Sequence, residues 1–240
     1  MSEAISPKPP PVVQHLPYQI DPENDRSAFY ENHWKRVGLD LLARHCAPAG
    51  QSLLDYGCGR GETLMLARQR GFKPVGTDID PECLRLSSQY APVVPLEVND
   101  PARQFGAKSF DIVTCFHVLE HVDCPKKTLT DLAAIARQYL VLAVPNLRRL
   151  MGLFSGHDDL ATVNAGHLQG WDHVHLRSLA ERHCGLTLVQ WGFDATQLSF
   201  FSNLSQKLLG TRRTIRIETG LFRRLFPFHG ISVLGLFRVK

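Results

Sequence analysis

The 240-residue chain has no Cys-x-x-Cys pair. Its six cysteines (Cys46, Cys58, Cys83, Cys115, Cys124 and Cys184) lack the paired spacing that holds zinc or builds a disulfide framework. Several stand in apolar runs, where a free thiol acts as a small hydrophobe. A reducing, cytoplasmic setting is therefore expected. The first 30 residues lack the apolar core of a secretory signal. No stretch reaches the roughly 18 uninterrupted apolar residues that cross a bilayer. Internal repeats are absent as well. Acidic residues are scarce at one end only. From Asn203 to Lys240 there is one acid, Glu218, against eight Lys and Arg. The first 202 residues carry 19 cations and 22 acids, so the formal net charge of +4 belongs to the C-terminal segment.

What is present is ordinary for a globular domain: 44% hydrophobic and 21% charged residues. This length suits one large α/β domain, or one with additions. Six of the 15 prolines fall within the first 22 residues. Proline resists helix, so residues 1–25 read as an extended or disordered arm. Phe29, Trp34, Val37, Leu41 and Leu42 then recur near helical spacing. Beyond Gly50, apolar runs at 52–56, 73–79, 92–98, 110–116 and 139–145 alternate with helical patterns at 61–70, 81–90 and 125–137. A helix over 177–184 precedes two more strands, at 186–193 and 231–239. The runs do not alternate polar with apolar, which predicts a parallel sheet covered on both faces. The expectation is a doubly wound, mostly parallel, seven-stranded α/β sheet. Its core spans 26–193, a basic insertion spans 194–230, and 231–240 supplies the last strand.

One turn stands out. "LLDYGCGRGETLMLA" (53–67) places Gly57, Gly59 and Gly61 between a buried strand and a helix. Glycine allows positive φ and lets a ligand approach the main chain. A helix N-terminus beyond it offers unpaired N–H groups. Such a turn at the carboxyl edge of a parallel sheet is a ligand crevice. A dinucleotide site calls for G-x-G-x-x-G. Here the spacing from Gly57 is G-x-G-x-G, and Glu62 stands where a pyrophosphate would be repelled. Asp55 adds a carboxylate suited to an ammonium group.

These residues resemble motif I of the class I S-adenosylmethionine-dependent methyltransferases, D/E-x-G-x-G-x-G after the first strand. "PVGTDIDP" is similar to the end of that family's second strand, where an acid binds the ribose hydroxyls; Asp78 matches it. "VND" and the run "FDIVTCFHVLEH" resemble the adenine-side segment and motif IV of the ubiquinone-biosynthesis-type enzymes. The resemblance implies a Rossmann-like fold with S-adenosylmethionine as cofactor. It assigns Asp55, Gly57, Cys58, Gly59, Gly61, Asp78, Ile79, Phe116 and either Asn99 or Asp100 to cofactor binding. The Cys58 and Cys115 thiols themselves read as passive small side chains. The family's usual "LKPGG" turn before the fifth strand is missing.

"HVLEH" brings His117, Glu120 and His121 to the end of the fourth strand, and "AGHLQGWDHVHLRSL" supplies His167, His173 and His175 further on. His117, Glu120, His121 and His173 are the catalytic candidates. Small-RNA 2′-O-methyltransferases bind Mg²⁺ with a similar order of residues. Two histidines and a carboxylate suit a transition metal better. A divalent metal, a histidine base and a purely structural cluster all stay open. The expected reaction is O-methylation of a small or lipid-linked metabolite. An RNA 2′-O-methyltransferase-like enzyme and a non-catalytic cofactor-binding subunit are the alternatives, with nucleic acid the least expected partner. Cations mixed with Leu and Phe over 203–240 also fit peripheral contact with anionic membrane.

Overall fold

The structure, a computed structural model, describes residues 26–97, 100–150 and 166–240. The proline-rich arm over 1–25 and Asn99 lie outside the described residues. Seven strands form one sheet: β1 (Ser52–Tyr56), β2 (Lys73–Asp78), β3 (Val93–Pro95), β4 (Phe110–Phe116), β5 (Ala136–Pro145), β6 (Thr187–Gly192) and β7 (Ser232–Arg238). Their order is β3-β2-β1-β4-β5-β7-β6. The first five run parallel, and β7 is antiparallel to both β5 and β6. The mostly parallel, doubly wound α/β sheet read from the sequence is the one observed.

Both faces of the sheet are buried, which is why its strands do not alternate. Leu53 and Leu54 are neighbours in β1, point to opposite faces, and are both fully buried. Leu53 joins Ile112, Val141 and the Leu39, Leu41 and Leu42 of helix α1 (Arg26–Ala43). Leu54 joins Val113, Leu140 and the Leu129 and Leu132 of helix α5 (Pro125–Ile135). Between these lie α2 (Glu62–Gln69), α3 (Pro81–Ser87) and α4 (Pro101–Phe105). Strand order reverses at β1, between β2 and β4, so a crevice opens at the carboxyl ends of β1 and β4.

Two boundaries differ from the sequence reading. The helical pattern over 125–137 stops at Ile135, and Ala136 is already extended with ψ 139°. Ala136 pairs with Phe110, so strand pairing takes over what helical periodicity would have continued. With no intervening turn, the missing "LKPGG" leaves no gap. After β5, helix α6 (His173–Ser178) runs on as a π-helical turn over Leu179–His183. Between β6 and β7 the chain forms α7 (Ser199–Leu209), α8 (Thr211–Ile217) and a further π-helical turn, Glu218–Phe222.

Candidate active site

The three glycines of the turn have three different physical reasons. All are left-handed, with φ of 75°, 51° and 90°. A Cβ on Gly57 would sit 2.3 Å from Val118 Cγ2, so the loop after β4 presses directly on this turn. A Cβ on Gly61 would lie 2.9 Å from the Ser87 Cα, so Gly61 lets the start of α2 pack on α3. Among the described residues, a Cβ on Gly59 would meet nothing within 4 Å. The space it leaves is open, as a ligand crevice requires. Cys58 points the other way. Its sulfur packs against Gly76 of β2, and burial pushes its thiol up to about 12. It fills the core.

Two carboxylates frame the turn. Asp55 is 2% exposed and accepts a 2.7 Å hydrogen bond from Thr114 Oγ1 of β4. Burial pushes its carboxyl up to about 7, against the pull of Lys35 from α1. Asp78 accepts from the Gly59 N–H (2.8 Å) and the Asp80 N–H (3.0 Å), one on each oxygen. Each carboxylate oxygen has two lone pairs, so acceptor capacity remains for a diol. Beside it Ile79 is 68% exposed, an apolar side chain left facing outward. Asp100 caps α4 by accepting from the Arg103 N–H (3.0 Å). The Phe116 side chain is buried under α1, edge-on to Trp34 at 5.5 Å.

The loop after β4 starts with a kink: His117 has φ 56°. Its ring stacks on Trp34 at 4.3 Å, and Nε2 is hydrogen-bonded to Ser232 Oγ of β7 (3.0 Å). Burial drives its pKa down to about 3. An imidazole that weak is a poor base near neutral pH. Glu120 is fully buried, and burial pushes its carboxyl up to about 7. Among the described residues neither of its oxygens has a hydrogen-bond partner; His117 Nδ1 approaches Oε1 only to 3.4 Å. The Glu120 backbone carbonyl, in turn, accepts from the Leu168 N–H (2.7 Å) and the Gln169 N–H (3.2 Å). These bonds bring the 166–169 segment back across the crevice. There His121 Nδ1 meets the Gly166 carbonyl at 2.8 Å. A carbonyl can only accept, so in the neutral ring Nδ1 carries the proton and Nε2 the lone pair.

Glu120, His121 and His167 thus form one cluster, with a ligand atom of each within 4.8 Å of the others. His121 and His167 meet edge to face at 4.8 Å. His173 is not in it. It opens α6 and stacks on Phe228 at 4.2 Å, lining a small pocket with Asn146, Trp191 and Ser232. Among the described residues its buried Nδ1 has no hydrogen-bond partner, and burial lowers its pKa. Sequence reasoning overlooked three residues: Trp34 and Lys35, which α1 brings to the site, and Ser232. No local pattern marks them. His167 carried a signal, its place in a histidine-rich segment, but nothing chose it over its neighbours.

The parallel sheet with an antiparallel last hairpin, the glycine crevice and its two acids define a class I S-adenosylmethionine-dependent methyltransferase. Residues 27–198 match the methyltransferase-domain family, and the chain belongs to it. Among its relatives are ubiquinone biosynthesis O-methyltransferases. That of Azoarcus sp. (strain BH72) is 31% identical over 49% of this chain and 52% of its own length. That of Chromobacterium violaceum is 30% identical over 41% of this chain and 45% of its own. The chain spans about half the length of the curated relatives it matches. Solved structures share the fold. The magnesium protoporphyrin IX methyltransferase of Synechocystis PCC 6803, with bound SAH, aligns at TM-score 0.61 and 15% identity, covering 89% of this chain and 85% of that one. A SAM-dependent methyltransferase from Archaeoglobus fulgidus aligns at TM-score 0.61 and 19% identity, covering 89% and 100%.

Proposed function

We propose that the protein transfers the methyl group of S-adenosylmethionine to a hydroxyl oxygen of a small or lipid-linked metabolite. The supporting observation is the contact of Val118 with Gly57, which lays the His117–His121 loop against the cofactor turn. The open space at Gly59, flanked by Asp78 and Ile79, receives the ribose and adenine, and Asp55 faces the ammonium end. The sulfonium is already electrophilic, so the protein's task is to hold donor and acceptor in line. A neutral hydroxyl also needs its proton removed. His121 has the free Nε2 lone pair for that, and general-base help is worth about 10²–10⁴ in rate. The relatives' name, O-methyltransferase, supports oxygen as the acceptor atom.

A metal reading of the same cluster is favoured by the two unpartnered Glu120 oxygens. Glu120, His121 and His167 fit a divalent transition ion, and hydrogen bonding of His121 to Gly166 is the outer contact that orients such a ligand. Such an ion polarises an oxygen bound to it and lowers its pKa.

Labelled S-adenosylmethionine with fractionated metabolite extracts tests the activity and identifies the acceptor. His121→Ala is expected to lower turnover at least about tenfold with cofactor affinity unchanged. Cofactor binding without transfer to any fraction would instead indicate a binding subunit. Calorimetric titration with Zn²⁺ or Mn²⁺ tests the metal. Binding that disappears in His167→Ala supports it, and no binding in wild type removes it.

A further inference from the structure

Helix α7 is packed inside out. Its inward face is polar. Ser202 is 1% exposed and its hydroxyl accepts from the Leu198 N–H at 3.1 Å. Ser205 meets Thr214 of α8 at 3.0 Å, and Gln206 accepts from Arg26 of α1 at 3.0 Å. The outward face carries Phe200, Phe201, Leu204 and Leu208, exposed by 64%, 53%, 42% and 72%. Positions 201, 204 and 208 repeat at helical spacing, so these side chains make one stripe. Large exposed apolar patches mark interaction surfaces.

The surroundings of the stripe indicate the partner. Arg213 and Arg216 are exposed on α8, Lys207 on α7 and Arg224 beyond them in the chain, as are Leu221, Leu225 and Phe226. The segment's one acid, Glu218, is fully buried and held by Arg26 and Tyr30. No carboxylate of this segment therefore offsets the exposed cations. Arg223 donates to the Phe193 carbonyl at 3.4 Å, and the exposed Arg238 lies over the Tyr139 ring at the end of β7. The basic, apolar surface runs over 199–226, because Ser232–Phe237 of β7 are buried in the sheet. Exposed apolar side chains and exposed cations on the same short segment complement an anionic lipid headgroup layer, which takes the apolar groups and neutralises the charge. Among the described residues no helix is long and apolar enough to cross a membrane, so such contact is peripheral.

We propose that α7, α8 and the turn after them form a peripheral docking surface for anionic phospholipid bilayers. The inference does not rest on the acceptor or on turnover, and its test reads binding alone. Full-length protein is sedimented with vesicles of equal parts phosphatidylglycerol and phosphatidylcholine, and with phosphatidylcholine alone. Pelleting is expected with the anionic vesicles, decreasing as salt rises. Arg213→Glu with Arg216→Glu and Arg224→Glu should weaken it at least about tenfold. So should Phe200→Ser with Phe201→Ser and Leu208→Ser; all are exposed, and an unchanged circular dichroism spectrum verifies the fold. Absence of pelleting at low salt, equal pelleting on neutral vesicles, or indifference to both variants overturns the proposal. Sedimentation velocity covers the rival occupant: a dimer that the apolar variant dissociates would assign the stripe to a second copy of the chain.

Discussion

At the scale of single residues, Asp78 ties down the Gly59 and Asp80 N–H groups and so shapes the turn. Each of its oxygens keeps acceptor capacity. Asp78→Ala should weaken S-adenosylmethionine binding by about 1.5–3 kcal/mol, the range for a lost charged hydrogen-bond partner. Calorimetry on the folded variant measures this, and unchanged affinity would remove Asp78 from the site. The two acids and the glycines were legible in the sequence because glycine chemistry and a strand-to-helix turn are local in the chain. The burial of the Cys58 thiol also was, since a small thiol acts as a hydrophobe. The difference between His117 and His121 was not. Both are histidines in one pentapeptide, and only the surrounding packing stacks one half-buried ring on Trp34 and bonds it to Ser232, while the exposed other bonds the Gly166 carbonyl through Nδ1.

At the scale of elements, the glycine turn is a joint between α2, α3 and the loop after β4. Gly61 and Gly59 separate its two functions. Gly59→Ala places a methyl in open space and strains one left-handed residue, a stability cost of about 1 kcal/mol. Gly61→Ala has the same strain and also drives Cβ into the Ser87 backbone, adding about 1–3 kcal/mol of overpacking. Thermal unfolding should therefore rank Gly61→Ala well below Gly59→Ala, while cofactor binding falls in Gly59→Ala despite its milder unfolding. Equal melting temperatures would contradict the packing role of Gly61. Helix α7 carries an apolar stripe, and the contacts of its polar side with Arg26, Leu198 and Thr214 leave that stripe facing outward.

For the molecule as a whole, buried carboxyls and buried histidines set the pH response in opposite directions. Burial pushes Asp55, Glu120 and Asp194 each up to about 7. At these groups the folded chain holds more protons than the unfolded chain between about pH 4 and 7. At His33 and His117, pushed down by burial to about 4 and 3, it holds fewer between about pH 4 and 6.5. The two oppose each other below about pH 6.5; above it the histidines are neutral in both states, so stability falls as the carboxyls ionise and levels off by about pH 8. The melting temperature of the ligand-free protein is expected to drop from about pH 6.5 to pH 8. S-adenosylmethionine should offset part of the drop, because its ammonium favours ionised Asp55. Its affinity should correspondingly rise with pH through about 7, and Asp55→Asn should flatten that rise. A melting temperature that climbs from about pH 6.5 to pH 8 would show that other groups dominate.

The α/β alternation, the buried parallel strands and the ligand-binding turn were determined by the sequence alone. Each rests on periodicity or on backbone freedom within a few neighbouring residues. Only the tertiary structure decided which distant residues meet. It inserted β7 antiparallel between β5 and β6, and so brought Ser232 to His117. It selected His167 rather than His173 as the neighbour of Glu120 and His121, through hydrogen bonds to the Glu120 carbonyl. It brought Trp34 and Lys35 of α1 to the crevice, and it faced the apolar side of α7 to solvent. In each case the deciding contact joins segments far apart in the chain, where neither spacing nor composition carries information about distance.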